Sequence, residues 1–179
     1  SLVNIGHISN YSWGVLSAVT WFAVSLHNWL LSDIATQGFF LVMQFVGIYM
    51  WSKAIQQKKT TDDSDTTESK TITLAVAMAS IAGTVVLYFI LVFTTSHLNG
   101  NQVWLDATLL PLNIVGQILM SYSFREQWIA WILVNIINIV IWFNQSQAIS
   151  GATISMLVLQ VAMLINSFYG AYLWFKDED

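Results

Sequence analysis

Trp128, Trp131, Asn135, Asn138 and Trp142 follow one another at intervals of three, four, three and four. That is the period of one helix face, so three indoles and two carboxamides share a single stripe. The chemistry such side chains offer is recognition. Indole faces attract cations, by about 2 kcal/mol or more where water is excluded. Amides both donate and accept hydrogen bonds, which suits carboxamides and sugar hydroxyls alike. More amides recur elsewhere. Gln37, Gln44 and Trp51 are spaced by seven, and Gln160, Ser167 and Trp174 repeat that spacing with Asn166 alongside. Asn113 and Gln117 lie one turn apart just beyond Pro111, the single proline. The candidate ligand-binding residues are therefore Trp131, Asn135, Asn138, Gln44, Gln37, Gln117, Asn113, Asn166, Trp128 and Gln160. The competing reading makes the amides hydrogen bonds between helices, and Trp128 and Trp142 part of an interfacial aromatic belt.

These residues sit in segments too apolar for water. Of 179 residues 56% are apolar and 9% charged, where a soluble domain carries about 25% charged. Mean hydropathy is +0.62. Six segments approach the roughly 20 apolar residues that a bilayer-crossing helix needs: 11–29, 33–52, 71–96, 103–123, 127–144 and 150–175. The fold class is an all-α membrane protein, with Pro111 expected to bend or open the fourth helix. All six cations, Lys53, Lys58, Lys59, Lys70, Arg125 and Lys176, then fall on one side of the membrane, and the opposite loops hold none. The positive-inside rule makes that side cytoplasmic and places the C-terminus there. The stretch "TTDDSDTTESK" reads as a solvated cytoplasmic linker with no need for fixed structure.

The chain also repeats itself. "GIYMWSK" at 47–53 returns as "GAYLWFK" at 170–176. Sliding the second segment by 123 residues onto the sixth also matches Ser32 with Ser155, Gln37 with Gln160 and Leu41 with Leu164. The fifth segment then corresponds to the first, setting Tyr11 against Trp128 and Gly14 against Trp131. The fourth has no upstream partner, so the simplest plan adds a helix before Ser1 to give three, one and three. An odd linker helix makes the two triple-helix units parallel, as in one class of transporters. The expected divisions are a first repeat at 1–52, a cytoplasmic linker at 53–70, a linker helix at 71–96 and a second repeat at 103–176.

Several stretches resemble the PnuC vitamin transporters: "ISNY" through "GIYMWSK", and above all "REQWIAWILVNIINIVIWF", with Asp106 at the head of the fourth segment. The likeness runs over nearly the whole chain. It implies carriage of nicotinamide riboside across the bacterial inner membrane by facilitated diffusion, in a fold similar to the SWEET sugar carriers. It also implies a homo-oligomer, a trimer being one such assembly. A departure is visible at the repeated endings, which read "VGIYMW" and "YGAYLW" where the family often has a fuller aromatic motif. Such a ligand has a cationic ring, a carboxamide and a ribose, which Trp and Asn/Gln side chains fit. They fit thiamine, riboflavin or a sugar by the same chemistry.

Other functions find little support. No Lys, Arg or Glu lies deep in a segment, and Asp33, Asp106, His7, His27 and His97 fall near ends or loops. That argues against proton coupling and against a retinal Schiff base. Asp33 and Asp106 suit helix N-caps, with attraction of a cationic substrate as the other reading. No cysteine is present, which excludes thiol catalysis and thiolate metal sites. No hydrolase or metal motif appears, so neither an enzyme activity nor a cofactor is expected. No basic face exists for nucleic acid. A receptor or scaffold role is the remaining alternative.

Overall fold

The computed structural model describes residues 7–27, 31–58, 68–95, 103–145 and 151–176. They form six helices: α1 Ser9–His27, α2 Leu31–Lys58, α3 Leu74–Thr95, α4 Val103–Ser121, α5 Gln127–Gln145 and α6 Gly151–Lys176. Each expected segment falls on one of them. Four contain stretches long and apolar enough to cross a bilayer, Thr36–Lys58, Leu74–Thr94, Gln127–Asn144 and Ile154–Lys176, while the apolar stretch Ala107–Ser121 of α4 is shorter. Helix α1 packs on α2, α5 packs between α4 and α6, α4 joins the halves through α2, and α3 lies against α4. Pro111 sits inside α4 without ending it. Its ring nitrogen has no hydrogen to give the Ala107 carbonyl, one turn back.

The repeated ending has a packing explanation. A Cβ built on Gly47 would overlap the Tyr11 ring, and one built on Gly170 would overlap the Trp128 ring. Each glycine is thus a socket for an aromatic from the preceding helix of its half, as small residues are at helix interfaces in lipid. Two positions on, Tyr49 and Tyr172 point outward, 66% and 58% exposed. Two further on, Trp51 and Trp174 are buried and face each other with ring centroids 6.1 Å apart. Tyr11 meets Trp51 edge-on at 4.8 Å, and Trp128 meets Trp174 edge-on at 6.4 Å. Four aromatics from four helices therefore form one cluster, near the starts of α1 and α5 and the ends of α2 and α6.

The C-terminus of α4 is built into this cluster. Helix ends leave carbonyls without a partner. The Met120 carbonyl accepts from Trp51 Nε1 at 3.1 Å and from the Tyr11 hydroxyl at 3.4 Å. The chain then turns through Ser123 at φ 63°, with Phe124 N donating to the Leu119 carbonyl at 2.9 Å and Ser123 N to Met120 at 3.0 Å. That is the Schellman pattern of helix termination, with serine in the usual glycine place. Trp51→Phe would keep a ring but delete the donor and some volume. The expected loss is about 2 kcal/mol. The purified protein should melt about 4–8 °C lower.

The linker differs from expectation at both ends. Helix α2 continues to Lys58, six residues into the expected loop. At the far end Lys70 N donates to the Ser123 carbonyl at 2.9 Å, and the Lys70 carbonyl accepts from Arg125 N at 3.0 Å. Ile72 N donates to Glu126 Oε2 at 3.2 Å, and Ser69 Oγ to the Trp174 carbonyl at 3.2 Å. The reason is physical: the ends of α4, α5 and α6 present unpaired backbone groups, and this extended strand satisfies them. Lys58 pairs with Glu68 at 3.1 Å, but Glu68 is 71% exposed, so the pair adds little. Residues 59–67 lie outside the described residues. Thr73 caps α3, its Oγ1 accepting from Val76 N at 3.3 Å.

Candidate functional site

On the other side of the aromatic cluster lies a cavity of about 600 Å³, walled by α1, α2, α4, α5 and α6. Met120 and Trp128 belong both to its lining and to the cluster's surroundings, so the cluster forms its floor. The structure places all ten sequence-derived candidates on this lining: Gln37 and Gln44 from α2, Asn113 and Gln117 from α4, Trp128, Trp131, Asn135 and Asn138 from α5, and Gln160 and Asn166 from α6. Trp142, on the same α5 stripe, is not among the lining residues. The side chains of Asp33, Asp106 and His27, and all of His97, lie outside the described residues.

Among the described residues the lining holds eight carboxamides and three indoles, and no charged residue. Their hydrogen bonds decide what they can offer. Asn135 Nδ2 donates to the Trp131 carbonyl and to Ser167 Oγ, both at 2.9 Å, and Ser167 Oγ donates to the Met163 carbonyl at 2.9 Å. Asn135 is thus both a bridge between α5 and α6 and a wall residue. Because Ser167 donates elsewhere, it must accept from Asn135, which fixes the amide and leaves Oδ1 as the free end. Asn138 Nδ2 and Asn113 Nδ2 donate to carbonyls one turn back, Val134 at 3.0 Å and Leu109 at 2.7 Å.

Gln44 and Gln117 are different. Both are more than nine-tenths buried, at 8% and 3% exposure. Gln44 Oε1 and Gln117 Nε2 have no hydrogen-bond partner among the described residues. A buried polar atom without a partner costs about 1–3 kcal/mol, so each of these two carboxamides keeps one end sealed in the wall at a cost to stability.

Sequence reasoning missed the wall made by α1. Gly14, Ser17, Ala18 and Trp21 line the cavity at intervals of three, one and three. The signal was a small-residue stripe at helical spacing, silent because none of the first three side chains carries recognisable chemistry. Phe40, Met163 and Ser167 were also missed as wall residues.

A helical bundle with segments long and apolar enough to cross a bilayer, around a polar chamber between its helices, is an architecture of membrane transporters. The chain is an integral membrane protein of that class. It belongs to the nicotinamide mononucleotide transporter family, whose sequence model matches residues 1–176. It is similar to the nicotinamide riboside transporter PnuC of Haemophilus influenzae, 32% identical over 176 residues, covering 98% of this chain and 73% of the relative. The PnuC of Neisseria mucosa is 31% identical over 179 residues, covering 97% of this chain and 66% of the relative. The Escherichia coli PnuC is 27% identical over 165 residues, covering 80% of this chain and 69% of the relative. A crystal structure of the vitamin B3 transporter PnuC superposes with a TM-score of 0.73 at 30% identity, covering 98% of this chain and 74% of that one.

Proposed function

We propose that the protein carries nicotinamide riboside across the bacterial inner membrane by facilitated diffusion, its two similar units rocking around the cavity. The family is described by the mononucleotide and the relatives are named for the riboside, which differ by one phosphate. The cavity's chemistry carries the choice: among the described residues it has eight carboxamides, three indoles and no charge. A phosphate dianion would lose its water there and gain no cation, which is costly. A pyridinium cation gains indole faces, and the free acceptor Asn135 Oδ1, with the other amides of the lining, suits a carboxamide and ribose hydroxyls.

The binding residues in this reading are the ten candidates, Trp131 and Trp128 for the ring and the amides for the polar groups. A repeat of α1 and α2 in α5 and α6, within the divisions 1–52, 53–70, 71–96 and 103–176, is supported by the paired sockets at Gly47 and Gly170. A cytoplasmic C-terminus is supported by the meeting of Lys58, Lys70 and Arg125 at one end through Glu68 and Ser123, with Arg125 4.9 Å over the Phe175 ring. No titratable residue lines the cavity among the described residues, in keeping with transport without proton coupling.

Proteoliposomes made with the full chain should equilibrate labelled nicotinamide riboside at a rate unchanged by a proton gradient. The mononucleotide should compete about 100-fold more weakly, the effect of an unpaired charge brought into the cavity. Uptake no faster than in empty liposomes, or equal competition by the mononucleotide, thiamine or riboflavin, would refute the reading.

A further inference from the structure

The two halves pair their helices alike but place their polar side chains differently. Helix α1 packs on α2 as α5 packs on α6. Sliding α2 onto α6 sets Gln44 against Ser167, and carrying the match of Tyr11 with Trp128 along the helices sets Ala18 against Asn135. All four residues line the cavity. In the second half the two side chains are bonded to each other, Asn135 Nδ2 donating to Ser167 Oγ at 2.9 Å. In the first half an alanine stands at one of the two places, so no such bond is open to it. The bridge is therefore not a requirement of helix pairing in this repeat.

Asn135 also differs from two other asparagines of the wall. Asn138 and Asn113 each donate to a carbonyl one turn back in their own helix, Val134 and Leu109. One such bond still lets a carboxamide turn about it. Asn135 has that bond, to the Trp131 carbonyl, and a second to another helix. Two acceptors on two helices fix the plane of the group and occupy both hydrogens of Nδ2. Ser167 has its own proton committed to the Met163 carbonyl and is 3% exposed, so it has little to offer a ligand directly. Asn135 Oδ1 is what remains. It is not among the sealed polar atoms, which include Gln44 Oε1 and Gln117 Nε2, and its residue lines the cavity.

We propose that Ser167 is a positioning residue for the substrate. By taking the second N–H of Asn135 it presents that side chain to the chamber as an acceptor alone, set in advance to receive a hydrogen from a ligand amide or sugar hydroxyl. This rests on the riboside reading above, whose ligand carries both kinds of donor. Without the Ser167 hydroxyl, one Nδ2 hydrogen loses its acceptor and the carboxamide is free to turn toward another. Donor and acceptor ends then compete for the same place at the wall. Fixing the group before the ligand arrives removes that ordering cost from binding.

The test titrates the purified full chain in detergent with nicotinamide riboside and with two parts of it. One is 1-methylnicotinamide, which keeps the cationic ring and carboxamide without the sugar. The other is ribosylpyridinium, which keeps the ring and sugar without the carboxamide. Ser167→Ala should weaken the riboside about tenfold. It should weaken one part by a similar factor, the part whose donor Asn135 receives, and leave the other within about twofold. Ser167→Thr, which keeps a hydroxyl able to bond the carbonyl one turn back, should bind the riboside within about threefold of wild type. In the Asn135→Ala background, Ser167→Ala should cause no further loss, since the group it positions is gone. A riboside affinity within about twofold of wild type in Ser167→Ala makes the bridge idle and overturns the proposal. So does an equal loss on both parts, which would make the bridge a tie between α5 and α6 that every ligand feels. An equal loss with and without Asn135 would give Ser167 a ligand contact of its own, and overturns it too. Wild-type protein that binds none of the three ligands overturns the transport reading itself, and this proposal with it.

Discussion

Trp131→Ala is expected to weaken nicotinamide riboside binding about 30-fold, the equivalent of about 2 kcal/mol of lost cation–π and stacking attraction. The residue is half-buried on α5 and lines the cavity. Its ring rests on α4 at Gly116, where an added Cβ would lie 3.2 Å from Cζ2. That support holds the indole face in place before a ligand arrives, so little ordering cost is left for the binding step. The substitution should spare the fold. The Asn135 bond is made to the Trp131 carbonyl, which alanine retains. The space left by the ring joins an existing cavity instead of making a sealed void, so the usual loss of about 3–5 kcal/mol for a core Trp→Ala change should be reduced. Trp131→Phe, which keeps a weaker aromatic face, should lose about threefold to fivefold. The charge dependence separates attraction from shape. Wild-type protein should prefer the cationic riboside to its neutral dihydro form, and Trp131→Ala should lose that preference. Equilibrium titration with melting curves on the same samples reads both effects, and a dissociation constant within twofold of wild type would exclude Trp131 from the site.

The α5 stripe could be read from spacing because helix geometry alone puts Trp131, Asn135 and Asn138 on one face. Amides in an apolar span also announce themselves by their cost. What spacing could not give was how each amide divides its bonds. Asn135 spends its donor on Ser167 of α6 and keeps only an acceptor, a fact of two helices meeting. The α1 wall was hidden because glycine and alanine contribute by what they leave out, which only the facing residue reveals. The repeated Gly-x-Tyr-x-Trp ending was visible as a pattern, but its tyrosines and tryptophans looked equivalent. Packing separates them, turning Tyr49 outward and Trp51 inward. The docking of Lys70 between Ser123 and Arg125 is made of backbone hydrogen bonds, to which the polar composition of the linker gave no clue.

Gly170→Val is expected to be the most damaging single change to stability. The Trp128 ring lies so close to Gly170 that even a Cβ would overlap it. The ring borders the cavity on one face, but it is rigid and packed edge-on to Trp174 at 6.4 Å and against the aromatic cluster, so no small rotation clears the added atoms. Relief requires α5 and α6 to separate, which would stretch the Asn135–Ser167 hydrogen bond at 2.9 Å. Overpacking of this kind costs about 1–3 kcal/mol and more when backbone must move. That should lower the melting temperature by about 6–12 °C, and alanine should do about half the harm. The decisive arm is rescue. Trp128→Leu, which empties the socket, should restore most of the stability lost in Gly170→Ala, because the two residues are direct neighbours and their effects cannot add. Tyr11→Leu should not, since Tyr11 fills the other socket, at Gly47. The mirror experiment exchanges the pairs: Tyr11→Leu should rescue Gly47→Ala, and Trp128→Leu should leave it unstable. Rescue that crossed between the halves would mean that the two glycines answer to the cluster as a whole. The repeated ending would then not be two copies of one helix-pairing device.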